Sequence, residues 1–208
     1  MKETGIIMSG NHPKLILDGI KTMTRRTYGL EKINIEPDKW NLVAVFQDGL
    51  ARFFNSETDE EITLKSPYGG VGDRLWVRAT WAKNYKGQML FKYQYHSLTE
   101  MLDLPAINIK WKPSIHLHKE DAEIWLEITG LRAERVQEIS VEDCISEGYP
   151  FGVIPEGLNQ TQIAIARVSR RGWFQSLWGS LNAKRGYGWE TNPWVWVIGF
   201  KVVLGGKE

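Results

Sequence analysis

The stretch "NPWVWVIGFKVVL", Asn192 to Leu204, constrains the fold most. Successive side chains of a strand point to opposite faces. Trp194, Val195, Trp196, Val197 and Ile198 are apolar in unbroken order, so a strand here has both faces covered. Such a strand lies inside a sheet, with other elements packed on either side of it.

The rest of the chain supplies those elements as short segments. "NLVAVFQDGLARFF" places two apolar runs around Asp48-Gly49, a hairpin signal, and "KNYKGQMLFKYQY" repeats the form around Lys86-Gly87. Ile6–Ser9 and "DRLWVRATW" read as strands, the second with Leu75 and Val77 opposite Trp76 and Arg78. "AEIWLEITGLRAERV" is a long β segment bent at Gly130. Helices are predicted in "NHPKLILDG", with Asn11 as N-cap and Gly19 as its end, and in "ISVEDCISEG", where Ser140 and Asp143 form a capping pattern and Gly148 stops it. "RRGWFQSLWGSLNAKRG" is amphipathic through Phe174, Leu177, Trp178 and Leu181. The expected fold is α+β: a small mixed β-barrel with flanking helices, in one domain over residues 1–208. Insertions are expected at 82–118 and 149–169, the latter as a long loop or lid.

Bulk chemistry excludes several classes. Lys+Arg 26 against Asp+Glu 25 leaves a formal net charge of +1, so overall charge names no partner. The single cysteine, Cys144, rules out an internal disulfide and a multi-cysteine zinc site; it is expected to pack. No apolar run reaches the ~18 residues of a membrane span, and "MKETGIIMSG" lacks a secretory core, so a cytoplasmic protein is expected. Ten tryptophans, several near arginines as in Arg74-Leu75-Trp76-Val77-Arg78, suit either base stacking or core filling, and burial is the commoner use of an indole. "HLH" is expected to put His116 and His118 on one face of a strand, with His96 as a third ligand, but no fixed carboxylate spacing supports a site; neither a metal nor a cofactor is expected. "YGGVGD" lacks the Gly-Lys-Ser/Thr ending of a phosphate loop and reads as a turn.

"LDGIKTMTRR" carries the densest chemistry. A threonine hydroxyl becomes nucleophilic when a neighbouring base takes its proton, and a desolvated lysine can be that base. After a helix-ending glycine the chain can turn and bring Lys21 and Thr24 together. Arg26, two residues on, shares the Thr24 face in an extended segment and can hold an oxyanion or a phosphate. The bland alternative is a solvated basic segment leaving a helix. Glu147 stands at the C-terminal end of its predicted helix, where the macrodipole disfavours an anion by about 0.3–1 kcal/mol. Its placement gains meaning if a cation such as Lys21 lies beside it.

Gly19-x-Lys21-x-x-Thr24-x-Arg26 resembles the signature of the ASCH family, whose members adopt a PUA-like barrel. "GDRLWVRATW", "EITGLRAERVQEISVEDCISEGY" and "NPWVWVIGF" resemble later family segments in the same order. The long form is similar to ASCH proteins of bacteriophages and prophages. The compact bacterial enzymes that the first motif resembles are N4-acetylcytidine amidohydrolases. The resemblance implies that Lys21, Thr24 and Glu147 are catalytic, with Gly19, Arg26, Arg78 and Trp81 contacting substrate. Ala79 departs from the pattern: long phage members usually carry Glu there. A modified nucleoside or single-stranded RNA is the implied partner, with no membrane. The alternatives are a non-catalytic RNA-binding module or ribonuclease, with Arg25, Arg26, Arg132, Arg135, Arg170, Arg171, Lys184 and Arg185 tracking phosphates, and a phage assembly protein.

Overall fold

The computed structural model describes residues 1–95, 109–150 and 159–203. The class is α+β. Strands β1 (Glu3–Ile7), β2 (Met23–Arg26), β6 (Arg74–Arg78), β9 (Trp125–Arg135) and β10 (Trp194–Val203) form one sheet in the order β1-β6-β9-β10-β2. β1 and β6 run parallel, and the other pairs are antiparallel. β3 (Trp40–Val45), β4 (Leu50–Asn55) and β5 (Glu60–Lys65) form a second sheet, and β7 (Trp81–Lys83) with β8 (Met89–Phe91) a third.

β10 meets the demand of its sequence. Trp194, Trp196, Ile198 and Phe200 enter the main core with Ile6, Leu75 and Phe53. Val195 and Val197 face the opposite side and pack with Cys144, Phe174 and Trp178 beneath two helices, α2 (Val141–Ser146) and α3 (Gln160–Asn182). Each indole or branched side chain buried in this way contributes about 1.5–3 kcal/mol, which makes β10 the main organiser of both cores. The indoles are used chiefly for packing: Trp40, Trp81, Trp125, Trp178, Trp194 and Trp196 are all buried.

Both hairpins form where the turn residues indicate. In the second, Asn84 Oδ1 accepts from the amides of Lys86 and Gln88, each at 2.9 Å, and Gly87 supplies φ +77°. β9 bends as expected: its register against β10 shifts so that Gly199 opposes Gly130 and Phe200 opposes Ile128, leaving Thr129 as the extra residue of a bulge. α2 is capped by Ser140, whose hydroxyl accepts from the Asp143 amide at 3.0 Å. "YGGVGD" is a turn: Asp73 accepts from the Gly70 amide at 3.0 Å just before β6.

Three expectations change. The sheets do not close into a barrel, because β1 pairs with β6 and β2 with β10, leaving them as opposite edges of one open sheet. The edges still approach closely, and the Arg26 guanidinium spans the seam to the Ile7 carbonyl at 2.8 Å. Residues 160–169, expected as part of a loop, are the start of α3. Asn159 and Gln162 cap each other reciprocally, and no proline interrupts the 23 residues that follow. Residues 151–158 of the same expected loop lie outside the described residues. His116 and His118 are not side by side on a strand: His116 ends a short 3-10 turn and His118 caps the next. His96 lies outside the described residues.

Glycine is indispensable at one crossing. A Cβ at Gly70 would come 2.2 Å from the Gln47 carbonyl oxygen and 2.7 Å from the Asp48 carbonyl carbon, both rigid backbone. Gly130 has nothing within 4 Å of such an atom. Gly70→Ala is therefore expected to cost about 1–3 kcal/mol in urea unfolding, and Gly130→Ala less than about 0.5 kcal/mol. Equal losses would contradict the crossing as described.

Candidate functional site

α1 (His12–Leu17) ends at Asp18, and Gly19 follows with φ +72°, a left-handed conformation that reverses the chain. The reversal is fixed by backbone bonds: the Ile20 and Lys21 amides both donate to the Leu15 carbonyl, and the Thr22 amide donates to Ser146 at the end of α2. The Lys21 side chain is thereby turned inward. It is 1% exposed.

Its ammonium meets Glu147, the C-cap residue of α2. Lys21 Nζ donates to Glu147 Oε2 at 2.6 Å and to the Glu147 backbone carbonyl at 2.8 Å. Arg25 Nη1 reaches the other carboxylate oxygen at 3.2 Å. Arg25 also binds Glu134 through Nε at 3.0 Å and Nη2 at 2.5 Å, and contacts Asp143, which Arg132 shares. Lys21, Arg25 and Arg132 thus face Glu147, Glu134 and Asp143, a charge-balanced set, which is the condition for burying ions at tolerable cost. The acid that the helix end disfavours is held by two cations.

Burial lowers the Lys21 pKa from its ordinary value. The Glu147 carboxylate resists that shift, and the Arg26 and Arg25 charges reinforce it. For Glu147, burial opposes the charge, but attraction to Lys21 and Arg25 and the Lys21 hydrogen bond hold the carboxyl below its ordinary value. Burial pushes the Cys144 thiol up to about 11, in keeping with its packed position.

Thr24 lies on β2 opposite Ile198 and is buried. Strand alternation puts it on the same face as Arg26 and opposite Arg25. Its hydroxyl makes no hydrogen bond among the described residues, so Lys21 and Thr24 are neighbours on the turn and strand without being bonded to each other. Gly19 is exposed, and its amide donates to Ile16 at 3.0 Å. The amides from Gly19 to Thr22 all donate to backbone carbonyls, so none of them is available to an oxyanion.

Next to this group, at the β1–β2 seam, is a cleft of about 420 Å³. Arg26, Arg78 and Arg185 line it, with His12, Tyr28 and Tyr68. Trp81 is elsewhere: it is buried in the main core with the Lys112 ammonium 4.7 Å from its ring centroid. Ala79 is also buried and borders a different hollow, together with Tyr93 and Tyr95. Among the described residues no His, Cys, Asp or Glu cluster has the arrangement of a metal site, and no helix is long and apolar enough to cross a membrane.

His12 is the residue that sequence reasoning missed. It occupies the first position of α1, between the cleft and the buried pair. Burial, then the charges of Lys21 and Arg26, bring its pKa down to about 4, with Glu147 acting the other way. It is a neutral imidazole at physiological pH. Its only sequence signal was a histidine beside proline at a helix start, which usually marks nothing.

No protein-family model matches the chain, and no curated protein is similar to it in sequence. Two solved structures align over 98% of the chain. One is an ASCH domain from Lactobacillus crispatus JV V101, with 15% identity, TM-score 0.38 and 80% of that chain covered. The other is a DUF984 protein from Enterococcus faecalis V583, with 9% identity, TM-score 0.41 and 77% of that chain covered. Neither alignment transfers a residue role.

The buried pair makes stability pH-dependent. A carboxyl whose folded pKa is depressed stabilises above its unfolded value, and that contribution disappears as pH falls through the folded one. The unfolded value of Glu147 is near 4.5, so this part of the stability is complete at neutral pH and lost in more acid solution. Glu147→Gln is expected to cost about 3–5 kcal/mol at neutral pH and to flatten the acid limb of stability against pH. Urea unfolding across the acid-to-neutral range measures both. An unchanged acid limb would show that Glu147 is not held as described.

Proposed function

We propose that the chain recognises a modified nucleoside or nucleotide in the seam cleft and removes an N4-acyl group through Lys21, Thr24 and Glu147. One observation carries the reading: a lysine buried against a glutamate, its pKa lowered, three residues before a buried threonine whose hydroxyl has no hydrogen bond among the described residues. That is the equipment of an activated-hydroxyl acyl transfer. The ASCH-like motif supplies Lys21 and Thr24, and the later segment that resembles the same family supplies Glu147, which supports the same chemistry.

In the proposed reaction Lys21 acts in its neutral form, which burial makes easier to reach by loss of the proton to solvent, and Glu147 orients the amine through its hydrogen bond. Lys21 Nζ then takes the Thr24 proton as Oγ bonds to the acyl carbon. Arg26, on the same face of β2, stabilises the resulting oxyanion, often the largest electrostatic contribution in such reactions. The C–N bond breaks as Lys21 returns the proton to the leaving exocyclic amine. Water hydrolyses the threonine ester, releasing the carboxylic acid and restoring the hydroxyl. Catalytic hydrogen bonds commonly tighten only in the substrate complex, which is the step that would join Lys21 to Thr24.

A second reading, nucleic-acid binding without turnover, is favoured by a different observation. Lys21, Thr24 and Glu147 are all buried, and other residues provide the cleft walls. Incubation with N4-acetylcytidine separates the two. Acetate release that falls about 10²-fold or more in Thr24→Ala and Lys21→Ala, with Thr24→Ala still folded, is the expected result. Release at wild-type rate by Thr24→Ala would end the hydrolase reading, and binding without any release would leave the second.

A further inference from the structure

Two sets of three arginines contrast in this protein. Arg25, Arg132 and Arg135 each pair with carboxylates, as surface and buried guanidinium groups usually do. Arg26, Arg78 and Arg185 form no ion pair among the described residues, and these three converge on one cleft. They come from β2, β6 and the 3-10 turn after α3, so no local sequence cluster accounts for the meeting. No Asp or Glu is among the residues that line the cleft.

Three like charges around one hollow repel, and in a partly desolvated site the repulsion is stronger than in water. The neutral His12 imidazole adds a polar group to the wall without adding a charge. Burial, opposed by Arg26 and Arg185, holds the Tyr68 hydroxyl above its ordinary pKa, so it stays protonated. Two further polar atoms of lining residues, Thr4 Oγ1 and Arg78 Nε, are buried without a hydrogen-bond partner. Gly5 makes room for this wall: a Cβ there would come 2.7 Å from the Trp76 ring and 3.0 Å from Arg78 Cδ, where the guanidinium lies over the indole at 5.3 Å. Tyr28, 60% exposed at the rim, offers a free ring face.

We infer that the seam cleft is a phosphate site: its ligand is a nucleotide, whose phosphate the three arginines bind and whose base meets Tyr28, and not an uncharged nucleoside. The inference rests on the proposed recognition of a base in this cleft and adds the charge state of the ligand. Guanidinium forks match phosphate oxygens in pairs, and a tyrosine face accepts any base. The volume falls within the ~300–1,000 Å³ of small-molecule sites.

Calorimetry on the full chain compares cytidine, cytidine 5′-monophosphate, a short single-stranded RNA and inorganic phosphate, with deacetylation of N4-acetylcytidine followed in the same samples. The monophosphate is expected to bind about tenfold or more tighter than the nucleoside, a difference of about 1.4 kcal/mol. In Arg185→Gln, an exposed position, and in Arg78→Gln the ratio is expected to fall towards one, while Arg52→Gln on the distant β3–β4 hairpin preserves it. A steep salt dependence for RNA beyond that for the monophosphate identifies a strand backbone as the source of the phosphate. Equal affinity for cytidine and its monophosphate overturns the phosphate site, and intact deacetylation in those samples would leave the hydrolase reading standing. Binding of neither overturns the recognition reading as well.

Discussion

The contact between Lys21 and Glu147 is the interaction on which the rest of the molecule depends. It joins the turn after α1 to the end of α2, two segments 126 residues apart in sequence, at 2.6 Å inside the protein. Arg25 shares the same carboxylate and continues the network to Glu134, Asp143 and Arg132. Ions buried in this way add little net stability as a set, but the loss of any one leaves an uncompensated charge. The network therefore fixes geometry more than it adds stability. It sets where β2 begins, and so which β2 side chains face the helices and which face the seam.

That division by strand face gives two adjacent arginines different roles. Arg25 points towards α2 and α3, lies 5.5 Å from the Phe174 ring centroid and is fully engaged with acids. Arg26 points the other way, bridges to Ile7 across the gap between the sheet edges, and lines the cleft with its charge unpaired among the described residues. Had the sheet closed, ladder bonds between β1 and β2 would have filled the seam. The open edge is what provides a site, and one side chain reaching one carbonyl takes the place of a strand pairing.

Local rules read much of this from sequence. Hairpin turns, the Ser140 cap, the bend at Gly130 and the doubly buried β10 are each encoded within a dozen residues, and each is present. The partnership of Lys21 with Glu147 was legible because both residues were odd in place: a lysine after a helix-ending glycine, and an acid at a helix C-terminus. Properties that depend on the whole chain were not legible. Whether the sheet closes depends on how far its edges travel, which no segment records. The start of α3 was hidden by prolines and glycines just before it, which suggested a loop through to residue 169, although the Asn159–Gln162 cap was present. Trp81 resembled a contact residue by motif, yet packing placed it in the core. Arg78 and Arg185 meet only after folding, and His12 acquires its character from burial first and then from the charges that surround it there.

The central claim is that burial, and not ion pairing, dominates at Lys21, making it a group able to lose its proton. Isotope labelling of the lysine side chains and a pH titration followed by NMR, with Lys21 assigned from its loss in Lys21→Met, measure this directly. The account requires Lys21 to titrate below the ordinary lysine value of 10.5. A value at or above it would mean that the glutamate simply anchors a permanent ammonium ion, and Lys21 could not serve as a base.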